Sequence, residues 1–260
     1  TGKLKWHYQF TPHDELDYDS TQIPVLADLN YQGQLRKLML WANRNGLYYV
    51  LDRATGQFLS GKPFTKVTWM DGFDERGRPR KLNSAAPSTA GTLVYPGVQG
   101  GTNWYSPSFS PRTGLIYIPT WDQTYSLFVK RPERYQEGQR FVGGYPRTNF
   151  PLTRGPQANL RKPQEGHGAI LALDAATGME KWRHEFFDVT DSGILTTATD
   201  LLFTGNREDQ FLALDARSGK VLWKATLGGA FANGPISYAV DGRQYVAAAA
   251  GNCLFVFGLR

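Results

Sequence analysis

A short motif recurs along this 260-residue chain and limits the folds that it can adopt. Its copies read L-D-R-A-T-G-Q-F, L-D-A-A-T-G-M-E-K-W and L-D-A-R-S-G-K-V-L-W, and they begin at Leu51, Leu173 and Leu214. Asp174 and Asp215 are 41 positions apart, and Asp52 precedes Asp174 by 122 positions, close to three such periods. A strand–turn–strand period near 41 residues is typical of the four-stranded blade of a β-propeller. The repeat therefore predicts an all-β chain.

The residue types of the motif explain why it forms a turn between two strands. The apolar residues before each Asp suit a buried strand, the Asp side chain caps backbone N–H groups, and the Gly accepts a positive φ. Trp182 and Trp223 follow on the returning strand, where a large ring can pack between neighbouring blades. We interpret both tryptophans as structural.

Other apolar runs provide the remaining strands. We expect pairs between residues 37–41 and 47–51, between 115–119 and 125–129, and between 244–250 and 254–258, with a further strand at 201–204. Helical periodicity is almost absent. The sequence thus predicts one partial β-propeller domain over residues 1–260, with about five to six blades, some of them incomplete, and a loop-rich basic insertion at about 131–165.

The chain opens with T-G-K-L-K-W, which reads as the second half of another copy of the repeat. An open run of blades also exposes unpaired strand edges at both ends. We therefore expect the N-terminus to be a cut, and we expect missing N-terminal blades or a second chain to complete the propeller. The absence of a signal sequence then indicates no compartment.

Charge and cysteine usage exclude several classes of protein. The net charge is +6, but residues 130–165 carry +5 of it, and no recognition helix or RNA-binding aromatic signature accompanies them, so we do not expect a nucleic-acid binder. The single cysteine, Cys253, excludes an intrachain disulfide framework. No stretch has the roughly 20 apolar residues needed for a membrane span.

The stretch T-P-H-D-E-L-D-Y-D-S at 11–20 concentrates four carboxylates and one imidazole. In an extended chain Asp17 and Asp19 point to the same side, about 7 Å apart, where the two carboxylates repel each other unless a cation or a donor lies between them. A site for a hard cation is one interpretation, because carboxylate oxygens suit such ions. An acidic surface loop is the other, and the stretch alone favours neither.

Three segments together resemble one known family. They read T-G-K-L-K-W-H-Y-Q-F-T-P-H-D-E-L-D-Y-D, N-R-N-G-L-Y-Y-V-L-D-R-A-T-G and G-G-T-N-W-Y-S-P-S-F-S-P, and the later repeats end in D-G-R-Q-Y-V-A-A-A-A-G. They are similar to the C-terminal portion of the pyrroloquinoline-quinone (PQQ)-dependent alcohol dehydrogenases of the methanol and ethanol dehydrogenase family. The resemblance implies an eight-bladed quinoprotein-type β-propeller with PQQ and a metal ion in its central cavity. It also implies oxidation of a primary alcohol, a c-type cytochrome as electron acceptor, and a periplasmic location.

The resemblance implies roles for individual residues. Asp17 matches the family's catalytic aspartate, the general base on the alcohol hydroxyl, and lies close to the metal. Arg44 matches the arginine that donates to the quinone oxygens, although an Arg before Asn-Gly can also brace a turn. Asn103 matches an asparagine that contacts the cofactor. Trp104 either walls the cavity or packs in the core, and we favour the core.

Asp19 decides the expected metal. In this family an aspartate two residues after the catalytic one accompanies lanthanide use, and a trivalent ion rewards one more anionic oxygen than calcium does. We therefore expect Asp17 and Asp19 to bind a lanthanide, with calcium as the alternative. Asp14 and Glu15 are interpreted as solvated or turn-capping groups, and His13 as a hydrogen-bonded structural histidine.

The chain also departs from the family pattern. Other metal ligands, a stacking tryptophan and a vicinal cysteine pair belong to earlier blades that it lacks, so we expect the chain alone to have little or no activity. Asp191 stands where many relatives have an aromatic residue, which leaves the substrate open. A non-catalytic quinoprotein-like propeller that scaffolds other proteins is the alternative function, but a scaffold does not need Asp17, Asp19, Arg44 and Asn103 together.

Overall fold

The computed structural model describes residues 1–141, 144–147, 162 and 166–258. Within these residues the regular structure is β-strand, apart from one short 3-10 helix at Asn83–Ala85. The strands, in chain order, are β1 (Val25–Tyr31), β2 (Gln34–Ala42), β3 (Leu47–Asp52), β4 (Phe58–Pro63), β5 (Met70–Phe73), β6 (Pro79–Lys81), β7 (Thr92–Val94), β8 (Ser108–Ser110), β9 (Leu115–Asp122), β10 (Ser126–Lys130), β11 (Gly144–Arg147), β12 (His167–Asp174), β13 (Glu180–Phe186), β14 (Leu195–Thr196), β15 (Leu201–Gly205), β16 (Gln210–Asp215), β17 (Val221–Thr226), β18 (Ile236–Val240), β19 (Arg243–Ala250) and β20 (Cys253–Gly258). No helix in the described part of the chain has the length and hydropathy that a membrane crossing requires.

Four antiparallel sheets form the body of the molecule. The first sheet has the order β1-β2-β3-β4, the second β8-β9-β12-β13, the third β14-β15-β16-β17 and the fourth β18-β19-β20. A smaller sheet contains β7, β10 and β11, and β5 pairs with β6. Strands within each large sheet run up and down, as in the blades of a propeller. The predicted all-β propeller fold is confirmed, whereas the number of five to six blades stays a prediction.

Neighbouring sheets pack face to face, so that inner strands are buried on both sides. In β9 all eight positions are buried. Ile116 and Ile118 pack towards the first sheet, and Leu115 and Tyr117 pack towards the third. Successive side chains of a strand point to opposite faces, which explains why residues 115–119 of this strand are a continuous apolar run. Burial of each such side chain contributes roughly 1.5–3 kcal/mol.

The D-x-x-T/S-G motifs form the predicted turns. Oδ1 of Asp174 accepts a hydrogen bond from the backbone N–H of Thr177 at 2.9 Å and another from its hydroxyl at 2.8 Å. Gly178 follows with a φ of 66°. Asp52 and Asp215 accept equivalent hydrogen bonds in their own turns. The turn is therefore a local property of the motif.

The tryptophan that follows a motif docks on the motif turn of the next sheet. Nε1 of Trp182, in the second sheet, donates to the main-chain oxygen of Ala216 in the third at 3.0 Å. Its ring covers Gly219, where a Cβ would lie 2.6 Å from Cε3 of the indole. Trp6 covers Gly56 in the same way. The Gly of the motif is thus needed both for its positive φ and for the close approach of the ring.

Two of the three predicted strand pairs are confirmed, and one is wrong. Residues 37–41 pair with 47–51, and residues 244–250 pair with 254–258. Residues 115–119 lie in β9, whose two edges are occupied by β8 and β12. Residues 125–129 contribute to β10, which pairs with β7 and β11 instead. The reason is that β12 offers β9 a matching run of buried residues. The insertion predicted at about 131–165 lies largely outside the described residues.

Candidate cofactor and metal site

Asp17 and Arg44, 27 positions apart, meet at the turn between β2 and β3. Nη2 of Arg44 lies 3.2 Å from Oδ2 of Asp17. The Arg44 side chain is 9% exposed, whereas that of Asp17 is 66% exposed. A buried guanidinium thus presents its charge to a carboxylate that remains accessible from solvent.

The Arg44 side chain is held by groups other than its own turn. Nε and Nη2 donate to the main-chain oxygen of Val98 at 2.9 and 2.6 Å, and its backbone N–H donates to Oε1 of Gln22 at 3.0 Å. The turn itself is braced by Asn43 and Asn45, whose side-chain oxygens accept from backbone N–H groups within it. The geometry therefore argues against Arg44 as a mere brace of the turn.

The remaining polar residues of the acidic stretch have separate contacts. Asp14 accepts hydrogen bonds from the backbone, which agrees with its interpretation as a turn-capping group. Glu15 forms an ion pair with Lys81. His13 is exposed, and its main-chain oxygen accepts from Nζ of Lys81 at 3.1 Å. That hydrogen bond involves the main chain and not the imidazole, so it does not support the expected role of His13 as a hydrogen-bonded structural histidine. Asp19 is exposed and close enough to Asp17 to affect its ionisation.

Partial burial raises the pKa of the Asp17 carboxyl above its usual value, although most of the side chain faces solvent. The negative charges of Asp19 and Asp14 raise the pKa further, and the Arg44 guanidinium acts in the opposite direction. Asp17 therefore holds a proton more readily than an ordinary aspartate, which suits a general base. A cation between Asp17 and Asp19 would relieve the repulsion that contributes to this shift.

The donor set fits part of a hard-cation site. No group of three or more His, Cys, Asp and Glu side chains converges within the described ranges, so this chain offers the carboxylates of Asp17 and Asp19 as a pair. A calcium-like ion takes six to eight oxygen ligands. These two residues can therefore supply some of the ligands, and the rest must come from other groups. Nε and Nη2 of Arg44 donate to Val98 and Asp17, so its Nη1 group is the donor that fits adjacent quinone oxygens.

The loop that carries Asn103 packs directly against Arg44. The backbone N–H of Gly101 donates to the main-chain oxygen of Arg44 at 3.0 Å. Gly100 has a φ of 85°, and a Cβ there would lie 2.4 Å from Cγ of Arg44. Asn103 is buried, its Nδ2 donates to the main-chain oxygen of Gln99 at 2.9 Å, and its Oδ1 accepts from the Trp104 N–H. Asn103 therefore belongs to the same end of the molecule as Arg44, with its amide already engaged.

Trp104 differs from expectation. We favoured the core for this residue, but its side chain is 53% exposed. Its ring contacts Tyr105, with the centroids 4.7 Å apart. Tyr105 is the residue that packs inward, because its hydroxyl finds a buried acceptor. The exposed ring leaves Trp104 free to wall a cavity next to Asn103.

Sequence reasoning singled out Asp191 but missed its partners. Its Oδ1 accepts from the hydroxyl of Tyr105 at 2.6 Å, and its Oδ2 accepts from Nε and Nη2 of Arg207 at 2.6 and 2.5 Å. Arg207 also lies over the ring of Trp121, 5.5 Å from its centroid. The backbone N–H of Trp121 donates to Gly101 of the Asn103 loop at 2.7 Å. A mostly buried charged cluster therefore adjoins the site, and no local sequence pattern identifies it.

Comparison with known proteins gives consistent results. Residues 1–71 match the family described as "PQQ: Glucose/ethanol/alcohol dehydrogenase, beta-propeller domain", and residues 166–257 match "Outer membrane protein assembly factor BamB". The chain is 38% identical over 257 residues to 1-butanol dehydrogenase (cytochrome c) of Thauera butanivorans, covering 96% of this chain and 36% of the relative. It is 38% identical over 253 residues to the quinohemoprotein alcohol dehydrogenase of Comamonas testosteroni, covering 96% and 35%.

Solved structures agree with these relatives. The crystal structure of the Comamonas testosteroni enzyme superposes with a TM-score of 0.85 and 33% identity, over 96% of this chain and 37% of that one. A europium-containing methanol dehydrogenase superposes with a TM-score of 0.80 and 32% identity, over 93% and 41%. The chain spans about a third of the length of the curated relatives that it matches.

Proposed function

Because this chain corresponds to the C-terminal region of the PQQ-dependent alcohol dehydrogenases, we propose that it contributes one side of a quinone and metal site for the oxidation of a primary alcohol. The observation that carries the proposal is the convergence of Asp17 and Arg44 at 3.2 Å, with the Asn103 loop packed against Arg44. Missing blades or a second chain supply the rest of the cavity.

Each residue has a defined task in this proposal. When bound, PQQ supplies a carbonyl carbon that accepts hydride, and the metal ion polarises that carbonyl. Asp17 takes the proton of the alcohol hydroxyl on its carboxylate, and general-base assistance of this kind contributes about 10²–10⁴ in rate. Arg44 orients the quinone oxygens, and its charge opposes the rise in the pKa of Asp17. Asn103 lines the same cavity from the loop that packs against Arg44.

The metal in this proposal is a lanthanide, held by Asp17 and Asp19, with calcium as the alternative. Asp17 and Asp19 together carry two negative charges, and the Arg44 guanidinium balances only one of them. A trivalent ion gains more from that charge than a divalent one. The similarity to a europium-containing methanol dehydrogenase supports this choice.

The similarity to known relatives supports a proposal for the electron acceptor and for the cellular compartment. We propose a c-type cytochrome as acceptor, because one relative is named as a cytochrome c-linked 1-butanol dehydrogenase. The excess positive charge at 130–165 provides electrostatic attraction for an acidic partner surface. A periplasmic location is the matching compartment for this family.

A titration with metal and quinone tests the proposal. The chain is mixed with PQQ and either terbium or calcium, and binding is followed by terbium luminescence and by the quinone absorbance. Binding without alcohol-dependent dye reduction is the expected result for one side of a cavity. No binding of PQQ or metal, also after the upstream blades are added, would contradict the proposal.

Asp19→Ala tests the choice of metal. The substitution should weaken terbium binding at least about tenfold and calcium binding much less, because it removes the anionic oxygen that favours the trivalent ion. Glu15→Gln is the matched control, since it removes a neighbouring charge that is paired with Lys81. Equal losses for both metals would refute the preference for a lanthanide.

A non-catalytic scaffold is the second candidate. The match of residues 166–257 to an outer membrane protein assembly factor favours it for that part of the chain. That segment contains none of Asp17, Asp19, Arg44 and Asn103, so the scaffold explanation gives no reason for the site.

A further inference from the structure

The backbone of Asp17 adopts a conformation that needs support. Its φ is 62°, in the left-handed region. This conformation is sterically strained for residues other than glycine, although Asp tolerates it better than most. Without a local interaction that favours the left-handed state, the residue would return to a common conformation and its carboxylate would point elsewhere.

Asp14 provides such an interaction on both sides of Asp17. Its Oδ1 accepts the backbone N–H of Leu16 at 2.8 Å, and its Oδ2 accepts the backbone N–H of Tyr18 at 2.6 Å. The N–H of Tyr18 belongs to the peptide group that follows Asp17, and the N–H of Leu16 belongs to the peptide group that ends one residue before it. A single carboxylate therefore holds the backbone before and after Asp17. Hydrogen bonds to an ionised acceptor are stronger than neutral ones.

The same two neighbours are anchored in the core. Leu16 and Tyr18 are 1% and 2% exposed, and the hydroxyl of Tyr18 donates to the main-chain oxygen of Pro96 at 2.5 Å. The side chain of Asp17 lies between them and points outward to Arg44. Core packing therefore fixes the position of the loop, and the Asp14 carboxylate fixes the backbone direction at Asp17.

We propose that Asp14 is a positioning residue for Asp17, because its carboxylate holds the backbone that directs the Asp17 carboxylate towards Arg44. This inference rests on the proposed function, in which Asp17 is the base and a metal ligand. The two nearby aspartates then have different roles: Asp14 holds the backbone, whereas Asp17 contacts substrate and metal.

Crystal structures of the full 260-residue chain, as wild type and as Asp14→Ala, test the inference without any cofactor. In Asp14→Ala we expect φ of Asp17 to leave the left-handed region and the 3.2 Å contact with Arg44 to be lost. Asp174→Ala is the matched control, because it removes the same kind of carboxylate–backbone hydrogen bond from a turn that holds no site residue. An unchanged φ and an intact ion pair in Asp14→Ala would overturn the inference.

Asp14→Asn keeps the side-chain shape and serves if the alanine variant fails to fold. An asparagine amide has one acceptor oxygen in place of two, so at least one of the two backbone contacts should open and the Asp17–Arg44 distance should increase. The inference fails if both backbone contacts and the ion pair persist in this variant.

Terbium binding gives a second readout. Asp14→Ala should weaken it at least about tenfold, beyond the loss in Glu15→Gln, which removes a charge without touching the Asp17 backbone. A loss no larger than that of Glu15→Gln would count against a positioning role. If the wild-type chain binds no terbium, the proposed metal site fails, and the crystal comparison still decides the role of Asp14.

Discussion

The ion pair between Asp191 and Arg207 should be one of the most costly polar contacts to break. The side chains are 12% and 19% exposed, and one carboxylate oxygen receives two guanidinium donors at 2.6 and 2.5 Å. Removing one partner of a buried pair costs about 3–5 kcal/mol, because the other charge loses its compensation. Arg207 keeps a second carboxylate, Oδ2 of Asp188 at 4.0 Å from its Nη1, so the lower end of this range applies. The hydroxyl of Tyr105 would also lose its acceptor, and burial and the Asp191 charge raise the pKa of this hydroxyl so that it remains a donor.

From these terms we expect Asp191→Ala to lower the free energy of unfolding by about 3 kcal/mol. Urea unfolding followed by tryptophan fluorescence measures the loss. Arg207→Ala and the double variant complete a thermodynamic cycle, and the double variant should be less destabilised than the sum of the single ones by at least about 2 kcal/mol. That coupling is the part due to the pair itself.

A surface pair provides the control. Asp71 and Arg80 lie 3.1 Å apart, but their side chains are 54% and 55% exposed. Exposed ion pairs contribute about 0–1 kcal/mol, so Asp71→Ala should have a small effect. The reasoning is refuted if Asp191→Ala costs no more than Asp71→Ala, or if the coupling between Asp191 and Arg207 is below about 0.5 kcal/mol.

Two further predictions concern packing and pH. Gly219→Ala should lower stability more than Gly242→Ala, since both glycines have φ near +70° but only Gly219 faces a tryptophan ring; the expected difference in urea unfolding is about 1–3 kcal/mol, and equal losses would mean that the Trp182 contact is unimportant. Burial lowers the pKa of His184, so the unfolded chain takes up the proton more readily. The stability that this provides is complete above the unfolded pKa of about 6.5 and is lost as the pH falls through the folded pKa. His184→Gln should therefore flatten the fall in urea midpoint on acidification, and an unchanged slope would contradict the prediction.

The repeat was readable from sequence because its determinants lie within about five residues of each other. Asp174, Thr177 and Gly178 form their turn from contacts across four positions. We expected Trp182 to pack between neighbouring blades, and the structure identifies its contacts there as Ala216 and Gly219. Pairing of residues 115–119 could not be decided in this way, because β12, one of the two partners of β9, lies more than 40 residues further along the chain.

The candidate site shows the same division. Asp17, Asp19, Arg44 and Asn103 were singled out through a family resemblance, and their assignment as functional residues remains our proposal. Their surroundings could not be predicted. Val98 fixes Arg44 across 54 positions, and Tyr105 reaches Asp191 across 86. No periodicity in the sequence records such contacts.

The sequence by itself determined the class of fold, because strand periodicity and turn chemistry act between near neighbours and repeat along the chain. Only the tertiary structure decided which charges meet. It also decided that Asp14 accepts hydrogen bonds from the backbone whereas Asp17 contacts Arg44. Those outcomes depend on how the sheets stack and where their connecting turns converge, and stacking is set by the packing of whole faces rather than by any single segment. The chemistry proposed for this chain therefore rests on contacts that folding creates between distant residues.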